Sequence, residues 1–227
     1  MKSKVILVIA FFLLRTALAQ QSEVRSLGSF RGIKAGQAID VYLKKGDKES
    51  AKVEVSGVSL SDVLTDVSGG YLKIHMTDGN YRGRRDVKVY VTYVELDKVS
   101  ASSASNVFSD GPIKAGNMEI HASSAANVEI SLDAGALTVH ASSAGDVMLE
   151  GKAKSIEAEA SSAGEIDAYN LTVETAGAEA SSAGSIKLNV ANELEAHASS
   201  GGSIRYRGNP SKTNTNSSSG GSVKKSS

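Results

Sequence analysis

The sequence predicts an all-β protein: a right-handed parallel β-helix, or solenoid, of coils of about 19 residues, with a less regular N-terminal half of β-structure that caps the rod. Three observations predict it. The tripeptide Ser-Ser-Ala recurs at a nearly constant interval, apolar residues fall at fixed offsets from every copy, and the composition suits thin-walled β-structure better than helices.

Residues 1–19 read as a signal peptide. Lys2 and Lys4 form a basic start, Val5 to Leu14 an apolar run, and Ala17-Leu18-Ala19 a small-residue cleavage site, so the mature chain is expected to begin at Gln20. A run of that length falls short of a bilayer span, and no later segment is long and apolar enough to supply one. The chain has no cysteine, so neither lipid attachment through a cysteine nor a disulfide is available, and stability must come from packing.

Residues 20–97 form the irregular N-terminal β region. Ala38 to Leu43, Ala51 to Val55, Tyr71 to Met76 and Val87 to Tyr93 alternate as strands do. Lys44 to Lys48 reads as a turn joining the first two in a hairpin, and Ser68-Gly69-Gly70 and Asp78-Gly79-Asn80 read as further turns. Val58 to Val67 is expected to be a short helix or a loop. This region should close one end of the rod, because an open end exposes an apolar cross-section and unpaired strand edges.

Residues 98–208 carry the regular repeats. The motif begins at Ser102, Ser123, Ser142, Ser161 and Ser181, with a sixth copy, Ser199-Ser200-Gly201; successive copies are 21, 19, 19, 20 and 18 residues apart. Five residues after the first serine stand Val107, Val128, Val147, Ile166, Ile186 and Ile204; one residue before it stand Ala101, Ala122, Ala141, Ala160, Ala180 and Ala198. Three before are Val99, Ile120, Val139, Ala158, Ala178 and Ala196. Apolar residues at every second position mark a strand with one buried face. Each repeat therefore reads as a strand of about six residues, a tight corner, and a second short strand. Gly145, Gly164, Gly184 and Gly202 fall at the corner, where a positive φ is expected, although Ser105 and Ala126 stand there in the first two repeats. Stacked at the roughly 4.8 Å spacing of paired strands, six copies give a rod roughly 25–30 Å tall. One serine of each pair is expected to point inward and form a hydrogen-bonded ladder. A left-handed helix of hexapeptides would show three apolar marks per coil at intervals of six, and the sequence has none, hence the right-handed expectation.

Residues 209–227 read as a polar tail or end cap. Asn209-Pro210 breaks the last clear strand, Ser211 to Ser222 is rich in Gly and Ser, and Val223-Lys224-Lys225 could return as one final strand.

Composition narrows the function classes. With 25 basic and 25 acidic residues the formal net charge is zero, which argues against a nucleic-acid binder. Aromatic residues make up 5% and there is no Trp, so the core must be built from many small side chains.

Several segments carry a family resemblance. Phe30 with Ile33, Ile39-Asp40-Val41-Tyr42-Leu43 followed by Lys45-Gly46-Asp47, Tyr71-Leu72-Lys73-Ile74, and Val87 to Thr92 resemble the secreted "putative auto-transporter adhesin, head GIN domain" family. So do Gly202 to Pro210 and Gly220-Gly221-Ser222-Val223. The resemblance spans nearly all of the mature chain and rests on strand and turn patterns. It implies a β-helical, exported protein of a group common in Bacteroidetes-type bacteria, with attachment to surfaces as the suggested role, no established reaction and no catalytic residues to carry over. The chain departs from a true autotransporter in lacking room for a translocator barrel.

Function would sit on the outward positions. Two residues before each serine pair stand Ser100, His121, His140, Glu159, Glu179 and His197; four before stand Lys98, Glu119, Thr138, Glu157, Gly177 and Glu195. In-register stacking would put these His and Glu side chains close enough to share a divalent ion, or would simply make a solvated polar face. Arg82, Arg84 and Arg85 beside Tyr81 could take an acidic glycan or a phosphate, or be a solvated loop. Asp146, Glu165 and Asp167 gather near one corner, but no long loops wall a groove of the kind polysaccharide-acting β-helix enzymes use. The recurring serines are no nucleophile, since a nucleophile occurs once, with a base. The expectation is a non-catalytic, exported module that needs no cofactor and binds a glycan or an envelope protein in the periplasm, on the outer surface or outside the cell. The alternatives are a polysaccharide-acting enzyme and a periplasmic stress protein that binds a metal or a partner.

Overall fold

The computed structural model describes residues 21–81 and 83–226. The signal-peptide segment and Arg82 lie outside the described residues.

The chain folds as an all-β solenoid of about seven turns with coils of about 19 residues and a less regular N-terminal part. The N-terminal strands are β1 (Gln21–Ser26), β2 (Gly32–Ala35), β3 (Asp40–Lys45), β4 (Ser50–Ser56), β5 (Val63–Ser68), β6 (Tyr71–Met76), β7 (Asp86–Tyr93), β8 (Lys98–Ala101) and β9 (Asn106–Ser109). The regular coils follow in β10 (Ile113–Ala122), β11 (Asn127–Ala141), β12 (Asp146–Ala160), β13 (Glu165–Ala180) and β14 (Ser185–Ala198). The stack ends with β15 (Ser203–Arg207), β16 (Lys212–Ser217) and β17 (Ser222–Lys225).

The repeat positions stack as their spacing requires. Val107, Val128, Val147, Ile166, Ile186 and Ile204 pair in parallel register, and each is 0% exposed. Three details differ from expectation. Within a coil the two short strands merge into one bent strand of 14–16 residues in β11 to β14, with buried residues at alternate positions on either side of a break in phase. The positive φ falls on the serine and alanine of the motif (Ser143 at 50°, Ala144 at 59°) and not on the glycine after them. The serine pairs also point outward: Ser142 is half-buried and Ser143 exposed, while the one buried polar residue among those described is Ser105. The corner explains the last two. Gly145 N–H donates to the Ser142 carbonyl at 2.9 Å, closing a tight turn whose central residues carry the φ values of a type I′ turn. Ala144 N–H donates at 3.1 Å to the Ser162 carbonyl of the next coil, so the corners are themselves joined by backbone hydrogen bonds that fix the serine side chains outward.

Among the described residues eight such corners occur, from Gln37-Ala38 through Ser103-Ala104 to Ser200-Gly201 and Ser219-Gly220. The first does not carry the motif; the last does, since Ser218-Ser219-Gly220-Gly221-Ser222-Val223 follows the pattern of Ser199 to Ile204, a copy that the reading of this segment as a tail passed over. Of the segment 209–227, read as a tail or end cap, the described residues 209–226 add a further coil: β16 pairs with β14 and β17 with β15, and Val223 does return as a strand.

The N-terminal part is stacked out of sequence order. β2 and β3 lie between β6 and β7 on one side and β8 and β9 on the other, all parallel. The expected β3–β4 hairpin does not form, because β7 lies between those strands, parallel to β3 and antiparallel to β4. Residues 46–49 step over the end of β7, with Gly46 N–H donating to the Tyr93 carbonyl at 2.9 Å. Val58 to Val67 holds one 3-10 turn, Leu60–Asp62, and then β5, which pairs antiparallel with β6 across Gly69 and Gly70, both at positive φ. β5 on one wall, and β4 with β1 on the other, thus close this end with antiparallel strands. Arg25 ties β1 down by donating to the Leu60 and Val63 carbonyls at 2.9 and 2.6 Å.

Candidate functional site

Two broad sheet faces meet at the corners. On the face before the corner, the register places Ser100, His121, His140, Glu159, Glu179 and His197 in one column. Lys98, Glu119, Thr138, Glu157, Gly177 and Glu195 form the column beside it. The structure therefore brings His121, His140, Glu159, Glu179 and His197 together as the spacing predicts. The imidazoles of His121 and His140 stack, with centroids 4.8 Å apart and planes 11° from parallel. His121 Nε2 meets the Glu119 carboxylate, which also accepts from Lys98 Nζ at 2.7 Å. His140 Nδ1 lies 2.9 Å from Glu159 Oε2, and His197 Nε2 lies 3.8 Å from Glu195 Oε1. The Lys98 ammonium, and then the hydrogen bond with His121, hold the Glu119 carboxyl below the usual glutamate range.

This arrangement is a chain of pairwise contacts. Stacked rings keep their nitrogens side by side, and the contacting nitrogens face glutamates instead of a common point. Among the described residues no three His, Asp or Glu side chains are grouped to hold a metal ion. Further along, Glu157, Glu179, Glu193, Glu195 and His197 rim an open depression of about 440 Å³ floored by Gly177, where the Glu157 carboxylate fills the space a Cβ would take.

The arginine group is only partly assembled. Arg84 is exposed; Arg85 lies over the Tyr81 ring, 5.5 Å from its centroid, and donates at 3.5 Å to the Gln37 carbonyl. Arg82 lies outside the described residues.

The face after the corner holds groups that the sequence reading passed over. Tyr90, Tyr42 and Phe108 stack in register, with centroids 5.0 and 5.3 Å apart. The available signal was an aromatic at the outward position of an alternating strand, as in Val41-Tyr42-Leu43 and Val89-Tyr90-Val91. Because the rings lie face to face along the rod, the stack presents ring edges and hydroxyls to solvent. In the same column Lys187 Nζ donates to Glu165 at 2.8 Å and to Asp167 at 3.0 Å; these bonds push its pKa up to about 12. Burial, then the charges of Glu165 and Asp167, raise the pKa of Asp146.

Comparisons with known proteins agree with this architecture. The model of a family described as "Putative auto-transporter adhesin, head GIN domain" matches residues 29–210. No curated protein matches the sequence. Among solved structures, a putative adhesin from Bacteroides fragilis is similar, with a TM-score of 0.82 and 22% identity over 92% of this chain and 97% of that one. One from Parabacteroides merdae gives 0.72 and 18% over 92% and 96%. A protein from Parabacteroides distasonis called a putative lipid binding protein gives 0.69 and 19% over 92% and 97%. At these identities the likeness establishes the fold. No helix among the described residues is long and apolar enough to cross a membrane.

Proposed function

The chain belongs to the family described as "Putative auto-transporter adhesin, head GIN domain", and from that premise we propose that it is exported and works at the cell surface or envelope as a binding module without catalysis. The observation that carries the reading is the in-register column from His121 to His197, a row of His and Glu side chains at the spacing of paired strands. Such a row suits an extended partner, a glycan chain or an envelope protein, because many weak contacts add along it without reordering of the protein. The serines repeat identically at exposed corners, which supports a structural role for them.

The test is binding of the mature protein to a glycan array and to whole envelopes, with reducing ends assayed in parallel. Saturable retention, weakened in His121→Ala/His140→Ala and in Glu157→Gln/Glu179→Gln, is expected. Release of new reducing ends would overturn the non-catalytic reading, and retention indifferent to both double variants would overturn the choice of face.

A further inference from the structure

Two departures from the regular repeat converge on one place on the face after the corner. Between Ser102 and Ser123 the coil runs to 21 residues, and its extra length forms the Ser109–Pro112 link, with Gly111 at a φ of 91°. Two coils along, the β12–β13 register slips: Met148 pairs with Asp167 but Glu150 with Asn170, so three steps face two. Bulges of this kind re-aim side chains and recur beside binding sites.

Between these irregularities lies a pocket of about 270 Å³ lined by Phe108, Glu129, Met148, Glu150 and Asn170 and walled by the Ser109–Pro112 link. Phe108 ends the aromatic stack. Tyr42 covers one side of its ring, and the register sets Glu129 next to it on the other. Met148 is 45% exposed, one of three large apolar residues so exposed among those described. Glu129 and Glu150 are exposed and form no ion pair or side-chain hydrogen bond with another described residue, whereas Asp133, Glu165 and Asp167 nearby are each paired with a lysine. The pocket thus combines an aromatic ring, a pliable thioether and two uncompensated carboxylates. An apolar stem ending in a cation complements that set: the stem packs on Met148 and Phe108, and the head meets both carboxylates. The volume lies just under the roughly 300–1,000 Å³ of small-molecule pockets and suits one long side chain.

We propose that this pocket takes an arginine or lysine side chain from an extended segment of a protein partner. The proposal rests on the binding-module reading and assigns it a partner chemistry.

Methyl-labelled methionine gives a direct readout, since Met148 is exposed while Met76 and Met118 are each 2% exposed. The mature protein is titrated with acetyl-Gly-Arg-Gly-amide, with the citrulline counterpart, and with putrescine. The expected result is a saturable shift of the Met148 methyl with the arginine peptide, at least tenfold weaker with citrulline and in Glu129→Gln/Glu150→Gln, while Met76 and Met118 stay unmoved. Both glutamates are exposed, so the variant should keep the wild-type melting temperature. A silent Met148, or equal affinity for the citrulline peptide or in the variant, would overturn the pocket. Putrescine binding as tightly as the peptide would overturn the protein side chain as its occupant. Envelope binding that persists with a silent Met148 rejects the pocket and leaves the binding-module reading standing; a responsive Met148 in a protein that binds no surface does the reverse.

Discussion

Gly145 lies over the carbonyl of Ala122 in the preceding coil, so close that a Cβ would overlap the oxygen, and Gly164 stands in the same relation to Ala141. The glycine is there because two backbones approach, not because of its φ. Ser105 and Ala126 stand at this position in the first two repeats, so a corner can be built around a Cβ; in a coil settled around glycine, Gly164→Ala has to push the coils apart or tilt the corner. A cost of about 1–3 kcal/mol is expected in denaturant unfolding. Stability within 0.3 kcal/mol of wild type, on the order of experimental scatter, would show that the stack yields freely at the corner.

The residues that do carry the strained backbone are exposed. Ala163 has a φ of 61° and its methyl faces solvent. An L-residue in this region costs roughly 1–2 kcal/mol, and glycine gives back about 0.5–1 through its looser unfolded state. Ala163→Gly should stabilise by about 0.5–1 kcal/mol; Gly201 and Gly220 hold the same place at the last two corners. A fall in the melting temperature would contradict this.

Asp146 continues a column whose preceding members are Asn106 and Asn127. Its raised pKa means that the fold favours the protonated acid, so stability is complete below the ordinary aspartate pKa and is lost as pH rises through the folded value. Asp146→Asn keeps a neutral side chain at every pH. It should stabilise at pH 7, by about 0.5 kcal/mol once solvent screening is allowed for, and the gain should vanish near pH 3. A gain that persists unchanged in acid would place its origin outside the titration.

The stacked imidazoles bear on metal binding. With His121 and His140 each turned to its own glutamate, zinc finds at most two protein ligands at a time, short of the usual three or four. Calorimetric zinc titrations of wild type and His121→Ala/His140→Ala should give the same weak heats. A tight wild-type isotherm that the double variant lacks would require the side chains to rearrange around the ion.

The solenoid was legible because buried residues in a stack must recur: the column from Val107 to Ile204 and the alanines before each corner appear in the sequence at their structural intervals. The His and Glu column was legible for the same reason, since register carries outward positions along with inward ones. What escaped was non-periodic. The β3–β4 connection looks like a hairpin because local turn chemistry says nothing of β7, which arrives some forty residues later to lie between those strands. One serine of each corner pair reads as inward because polarity alone does not reveal that the turn's backbone bonds point both out. The Phe108–Met148 pocket comes from insertions, which appear in a repeat alignment only as noise in the interval.

The placement of β2 and β3 between later strands bears on assembly. Both flanks of β2 and both flanks of β3 are supplied by residues 71–109. A chain growing from its N-terminus therefore cannot lay down coils one at a time until about half of it has emerged. Closing that set of long-range contacts is expected to be the slow, nucleating event, after which the later turns can zip on in sequence, each templated by its predecessor. Deleting turns near the C-terminus should shorten the rod gracefully, whereas removing residues 32–45 should abolish it altogether.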